Sequence, residues 1–113
     1  MRIPSPPSST QLGAAAASAG AAAAPGALDR LEELRELIAA NDRALVELLN
    51  RRLELVAEIW RVKDTIGVSH TDPERERSLL RHLEESNDGP LSRRGLGVFH
   101  EALLSLTKQE LAP

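Results

Sequence analysis

From Leu28 to Ile66 the chain runs for about forty residues without a glycine or proline, and apolar side chains recur through it at steps of three and four. The series is Leu31, Leu34, Ile38, Asn41, Leu45, Leu48, Arg52, Leu55, Ile59, Val62 and Ile66, the spacing of a helical heptad, and only Asn41 and Arg52 in it are not apolar. A helix of that length is a rod of roughly 57 Å, longer than one small domain can cover, so it must pack against something beyond its own chain. Arg52 sharpens the constraint. A guanidinium cannot enter a dry seam uncompensated, so something anionic, from protein or ligand, is expected to meet it there.

Composition narrows the setting. Residues 1–27 are nearly all Ala, Pro, Ser and Gly, with Arg2 the only charge, and read as a disordered extension too poor in large apolar groups to offset its chain entropy. Pro4, Pro6 and Pro7 interrupt this start, and its Ala-rich stretch lacks Leu, Ile or Val, which argues against a cleaved secretory signal. Residues 28–113 form the one expected domain, small enough that oligomerisation would help it bury a core. It carries 13 basic and 17 acidic side chains. That mildly acidic balance, with Trp60 and Phe99 as the only aromatics, argues against a nucleic-acid partner. No apolar stretch is long enough for a membrane helix, and the expected location is the cytoplasm. Cysteine is absent, which removes disulfides and thiolate metal sites.

Two further helices follow. Asp72 as N-cap, Pro73 at the first helical position and Glu74 in the first turn open the second, which carries Leu79, Leu80 and Leu83 as its apolar stripe. The run Ser86-Asn87-Asp88-Gly89-Pro90 stops it. A third helix is expected from about Ser92 to Leu111, its inner face marked by Leu96, Phe99, Ala102, Leu103 and Leu106. With no strand pattern and no repeat, the fold is expected to be all-α.

Each helix also places polar groups at the edge of its apolar face. Lys63 lies eleven residues after Arg52, within about 20° of the same face and about 16 Å along the axis, so the two cations can bracket a small anion. Asp72 and Glu76 are four apart, and Glu76 extends the second helix's stripe backward by a turn. Ser105 and Gln109, also four apart, flank Leu106. Together these groups describe a site for a small, polyanionic, hydroxylated ligand. The same residues also fit a plainer arrangement, in which Arg52 pairs with Glu76, Lys63 reaches out to water, and Ser105 with Gln109 forms a solvated edge. Arg35 lies seventeen residues before Arg52, roughly 25 Å up the same helix and about 100° around it, so one chain cannot bring both to one ligand. His70, His82 and His100 have no metal-ligand spacing.

Over Leu28 to Gln109 the chain resembles the all-helical chorismate mutases of the AroQ class, in their short monofunctional form. The resemblance rests on Leu34-Arg35 with Asp42 seven residues later, Leu48-Leu49 with Arg51-Arg52, Lys63, the stretch from Asp72 to Arg77 with Leu79-Leu80 behind it, and Ser105 with Gln109. Single pieces occur in many helices, but their joint spacing across three helices is specific. The resemblance implies an intertwined homodimer in which each of two sites borrows an arginine, here Arg35, from the partner. It further implies that Arg52 holds a substrate carboxylate, that Lys63 and Gln109 flank the ether oxygen of the breaking bond, that Asp72 and Glu76 receive the ring hydroxyl, and that Arg75 and Ser105 complete the polar shell.

The reaction so implied is the rearrangement of chorismate to prephenate on the route to phenylalanine and tyrosine, without a cofactor or metal. Two rivals share the scaffold, a lyase acting on isochorismate and a mutase acting on aminodeoxychorismate; relatives of those kinds tend to lose the acid corresponding to Glu76. A non-catalytic helical dimer serving as a regulatory module is the alternative of a different class, and a complex with another aromatic-pathway enzyme is a further partnership of this type. Two positions depart from the family pattern. Trp60 stands near the Arg52 and Lys63 face where relatives commonly carry a small residue, and is expected to crowd the pocket or repack the dimer. Asn41 replaces an apolar residue and is expected to pair across the dimer, as a buried Asn does in coiled coils.

Overall fold

The structure, a computed structural model, describes residues 24–112. Most of the expected disordered extension, residues 1–23, therefore lies outside the described residues. Three α-helices make up the described chain: α1 (Ala27–Ile66), α2 (Pro73–Ser86) and α3 (Arg93–Leu111). No strand occurs among the described residues. The chain divides into two compact units, Met1–Val46 and Glu47–Pro113.

Forty residues of α1 form from a sequence rich in Leu, Glu, Arg and Ala, all strong helix formers, with Asp29 in the first turn and Lys63 in the last. Its end is built by Gly67, whose φ of +70° is the left-handed conformation an L side chain avoids. The Val68 N–H donates to the Lys63 carbonyl at 2.9 Å and the Gly67 N–H to the Asp64 carbonyl at 3.4 Å, the paired bonds of a Schellman stop. In the N-terminal unit the seam residues Leu34, Ile38 and Leu45 are 42%, 61% and 53% exposed. In the C-terminal unit Leu48, Leu55, Ile59, Val62 and Ile66 are likewise exposed. Among the described residues these seam positions have no cover.

The start of α2 follows the expected pattern: Asp72 Oδ1 accepts the Arg75 N–H at 3.1 Å, with Pro73 in the first turn. At its far end Asn87 organises the turn, donating from Nδ2 to the Leu91 carbonyl at 2.9 Å and accepting the Gly89 N–H on Oδ1 at 3.3 Å. Ser92 then caps α3 by accepting the Gly95 N–H at 2.9 Å. Arg93 Nε pairs with Glu84 Oε2 at 2.6 Å, tying the start of α3 to α2, against which it packs.

The inner face of α3 agrees with the expected one at Leu96, which is buried, and at Ala102, Leu103 and Leu106, which are half-buried, and differs at Phe99. Leu96, His100 and Thr107 are buried, while Phe99 is 49% exposed. The buried line runs through Leu96, His100 and Thr107 at helical spacing, and two of its three members are polar, so a search for apolar periodicity passes over His100 and Thr107. Thr107 can be buried because its hydroxyl donates to the Leu103 carbonyl at 2.7 Å and accepts from Arg52. For His100 Nε2 the structure offers no hydrogen-bond partner among the described residues. Among those residues, no helix is long and apolar enough to cross a membrane.

The Ser92 cap lies away from the polar cluster described below. Ser92→Ala is expected to lower the unfolding free energy by about 1 kcal/mol, read from the urea midpoint at constant protein concentration.

Candidate active site

The C-terminal unit contains a cleft of about 460 Å³, a volume suited to a small organic ligand. Each helix lends it one face. From α1 come Arg52, Val56, Ile59, Trp60 and Lys63; from α2, with its N-cap, Asp72, Arg75, Glu76 and Leu79; from α3, Leu104, Thr107 and Lys108. Steps of three and four on all three helices explain why the sets converge: each is a single helical stripe. His70 and Thr71, from the α1–α2 connection, line the cleft as well.

Arg52 is half-buried, and its Nη1 donates to Thr107 Oγ1 at 2.6 Å. Loss of solvent around the guanidinium lowers its pKa from the ordinary arginine value. The expected anion is not supplied by this chain: among the described residues Arg52 makes no salt bridge, and Glu76 faces Lys108 instead, at 3.9 Å. The pairing of Arg52 with Glu76 does not form. A neutral hydroxyl fixes the guanidinium without neutralising it, so a partly desolvated positive charge faces the cleft.

Lys63 lines the same cleft, as the eleven-residue spacing requires, and its Nζ donates to the His70 carbonyl at 3.4 Å. The sharp stop at Gly67 makes this possible by folding the connection back over the end of α1. There the His70 ring stacks on Trp60 with centroids 4.4 Å apart and planes 14° from parallel, and its Nε2–H donates to Asp64 Oδ1 at 2.6 Å. Trp60 therefore does enter the cleft wall, and its ring holds the connection through His70. Asp72 has one carboxylate oxygen engaged by the cap it forms on α2, and Arg75, whose N–H it receives, has an exposed side chain.

Of the eight residues singled out in the sequence, Arg52, Lys63, Asp72, Arg75 and Glu76 meet in this cleft. Ser105 and Gln109 are exposed and stand outside its lining, because the rotation of α3 that buries Thr107 presents Leu104 and Lys108 to the cleft instead. Arg35 belongs to the N-terminal unit and is exposed, with Glu32 at 3.9 Å. Thr107, Lys108 and His70 escaped the sequence reading. Thr107 and Lys108 sit between the Ser105 and Gln109 positions, and a one-residue change of phase, about 100°, exchanges Ser105 and Gln109 for Leu104 and Lys108. Among the described residues no cluster of His, Asp and Glu is placed to hold a metal ion.

Residues 34–110 match the family Chorismate mutase type II. The chain belongs to that family. Among relatives of the type II chorismate mutase segment, the T-protein of Enterobacter agglomerans is 50% identical over 50 residues, 44% of this chain and 13% of that protein. The bifunctional chorismate mutase/prephenate dehydratase of Pseudomonas aeruginosa is 32% identical over 82 residues, 68% of this chain and 22% of that protein. The chain thus spans less than a quarter of the length of these curated relatives. A solved structure of chorismate mutase (form I) from Thermus thermophilus superposes with a TM-score of 0.67 at 29% identity, covering 69% of this chain and 98% of that one.

Thr107→Val keeps the shape of the side chain but removes the acceptor of Arg52. It is expected to cost about 1–2 kcal/mol of stability in urea denaturation, with Thr107→Ser recovering most of it.

Proposed function

We propose that the protein is a chorismate mutase, converting chorismate to prephenate in the synthesis of phenylalanine and tyrosine. The observation that carries the reading is the half-buried Arg52, held by Thr107 and left without an acidic partner among the described residues, in a cleft that also holds Lys63 and Glu76. Family membership supports it, as does the match along 98% of a solved chain named for that activity alone.

The rearrangement is unimolecular, breaking a C–O bond as a C–C bond forms, and needs no nucleophile. Arg52 takes a carboxylate of the substrate, and Lys63 stands at the ether oxygen where negative charge develops. Glu76, helped by Asp72, accepts the ring hydroxyl, and Arg75 borders the polar side. Val56, Ile59, Leu79 and Leu104 supply apolar walls that hold the enolpyruvyl arm over the ring and keep water from it. The cations are fixed before the reaction, so little reorganisation accompanies the shift of charge. Ser105 and Gln109, outside the cleft, receive no role.

The assembly in this reading is an intertwined homodimer. Support comes from the uncovered apolar seam of α1 and from Arg35, which lies on the unit that does not contain the cleft. A second copy covers the seam and lends its Arg35 to the site.

Purified protein is expected to consume chorismate and yield prephenate, and absence of turnover with the helices intact would sink the reading. Pyruvate release from isochorismate in its place would identify a lyase. Arg52→Ala and Lys63→Ala are each expected to lower kcat/KM on the order of a hundredfold or more while the protein stays helical. Arg35→Ala and Arg52→Ala proteins, each nearly inactive alone, are expected to regain about a quarter of wild-type activity when mixed in equal amounts and allowed to exchange subunits, because half of the dimers then carry one complete site.

A further inference from the structure

Lys108 is a cation of the cleft that neither the family resemblance nor the helical pattern marked out. It lies one residue after Thr107, the anchor of Arg52, and one turn after Leu104, so the segment of α3 that fixes Arg52 also carries the Lys108 stem into the cleft wall. Its ammonium has no hydrogen bond among the described residues. Its one ionic contact there, to Glu76 Oε1 at 3.9 Å, is beyond hydrogen-bonding distance. Such a contact between partly exposed groups is weak and easily exchanged for a closer one. Glu76 is the more buried partner, with 29% of its side chain exposed against 56% for Lys108, so the lysine is the end free to move.

The charge of the cleft points the same way. Its walls hold four cations, Arg52, Lys63, Arg75 and Lys108, against the two carboxylates of Asp72 and Glu76. One oxygen of Asp72 is already engaged as a helix cap, and the net positive charge of the walls, to which the partner's Arg35 adds in the reading above, complements a dicarboxylate.

We infer that Lys108 is a further substrate-binding residue, one that swings from Glu76 to a carboxylate of the bound dianion and leaves Glu76 free to accept the substrate hydroxyl. The inference rests on the mutase reading above. An ammonium on a flexible stem suits the task because it can follow the ligand into the cleft, whereas Arg52 is held in place by Thr107.

Steady-state turnover of chorismate by wild-type, Lys108→Met, Lys108→Arg and Arg52→Ala proteins tests it, with far-ultraviolet circular dichroism confirming retained helix. Lys108→Met is expected to raise KM at least tenfold with kcat within about threefold of wild type, the signature of binding shared by ground and transition states. The methionine variant should also lose part of the rise in KM that wild type shows with added salt, and Lys108→Arg should restore much of the affinity. If Lys108→Met does not fold, Lys108→Gln takes its place with the same expectations. A KM within twofold of wild type in an active, folded Lys108→Met or Lys108→Gln protein overturns the inference while leaving the mutase reading intact, as does a fall in kcat at unchanged KM. A wild-type protein that does not consume chorismate removes the reading itself.

Discussion

The contact on which the site depends is the hydrogen bond from Arg52 to Thr107, 2.6 Å long and spanning 55 positions of sequence. It joins the middle of the longest helix to the last third of the chain, and it settles two things together. It fixes which side of α3 faces inward, since Thr107 must be buried to receive the guanidinium. It also gives Arg52 a neutral partner, so the charge brought into a half-buried setting remains uncompensated. A carboxylate there would have formed a closed ion pair with nothing left to offer a ligand. Placing a hydroxyl there orients the cation and preserves its field, the arrangement required of a group that recognises an anion.

Around that bond the cleft is assembled from ordinary local rules. Gly67 stops α1 with a pair of backbone bonds, which turns the chain back within a few residues. Asp72 and Pro73 then start α2 where Glu76 meets the end of the same cleft. The stack of His70 on Trp60 and the bond from Lys63 to the His70 carbonyl hold the intervening segment against α1. Trp60, a departure from the family pattern when read in sequence, thereby acquires a structural reason: its ring is the surface on which the connection rests.

Much of this was legible in the residues. Forty positions without Gly or Pro set the extent of α1, and the Asp-Pro-Glu start placed α2 at its first residue. The eleven-residue interval put Arg52 and Lys63 on one face, where both are found. The inner face of α3 was legible only in part, for a definite reason. Apolar periodicity finds a buried face only when burial is apolar, and here His100 and Thr107 occupy it while Phe99 turns outward. Thr107 is tolerated inside because two hydrogen bonds satisfy its hydroxyl, and both partners, the Leu103 carbonyl and the Arg52 guanidinium, are invisible to a periodicity count. Ser105 and Gln109, chosen from the same pattern, lie outside the cleft lining, where Leu104, Thr107 and Lys108 stand.

The exposed seam and the distribution of charge have a common logic. Along α1 the apolar positions that a single chain leaves open continue past the cleft into the N-terminal unit, where Arg35 is also found. A long helix that buried its seam within its own chain would need more chain to fold over it, and the described residues provide only α2 and α3, which pack on each other. In the proposed dimer a second copy solves the burial problem without lengthening the sequence, and the proposed site depends on assembly, because the seam and Arg35 lie on the same helix. In that dimer α1 supplies Arg52 and Lys63 from one chain and Arg35 from the other, while Lys108 comes from α3, so the helix that carries the dimer seam also carries three of the proposed site's cations.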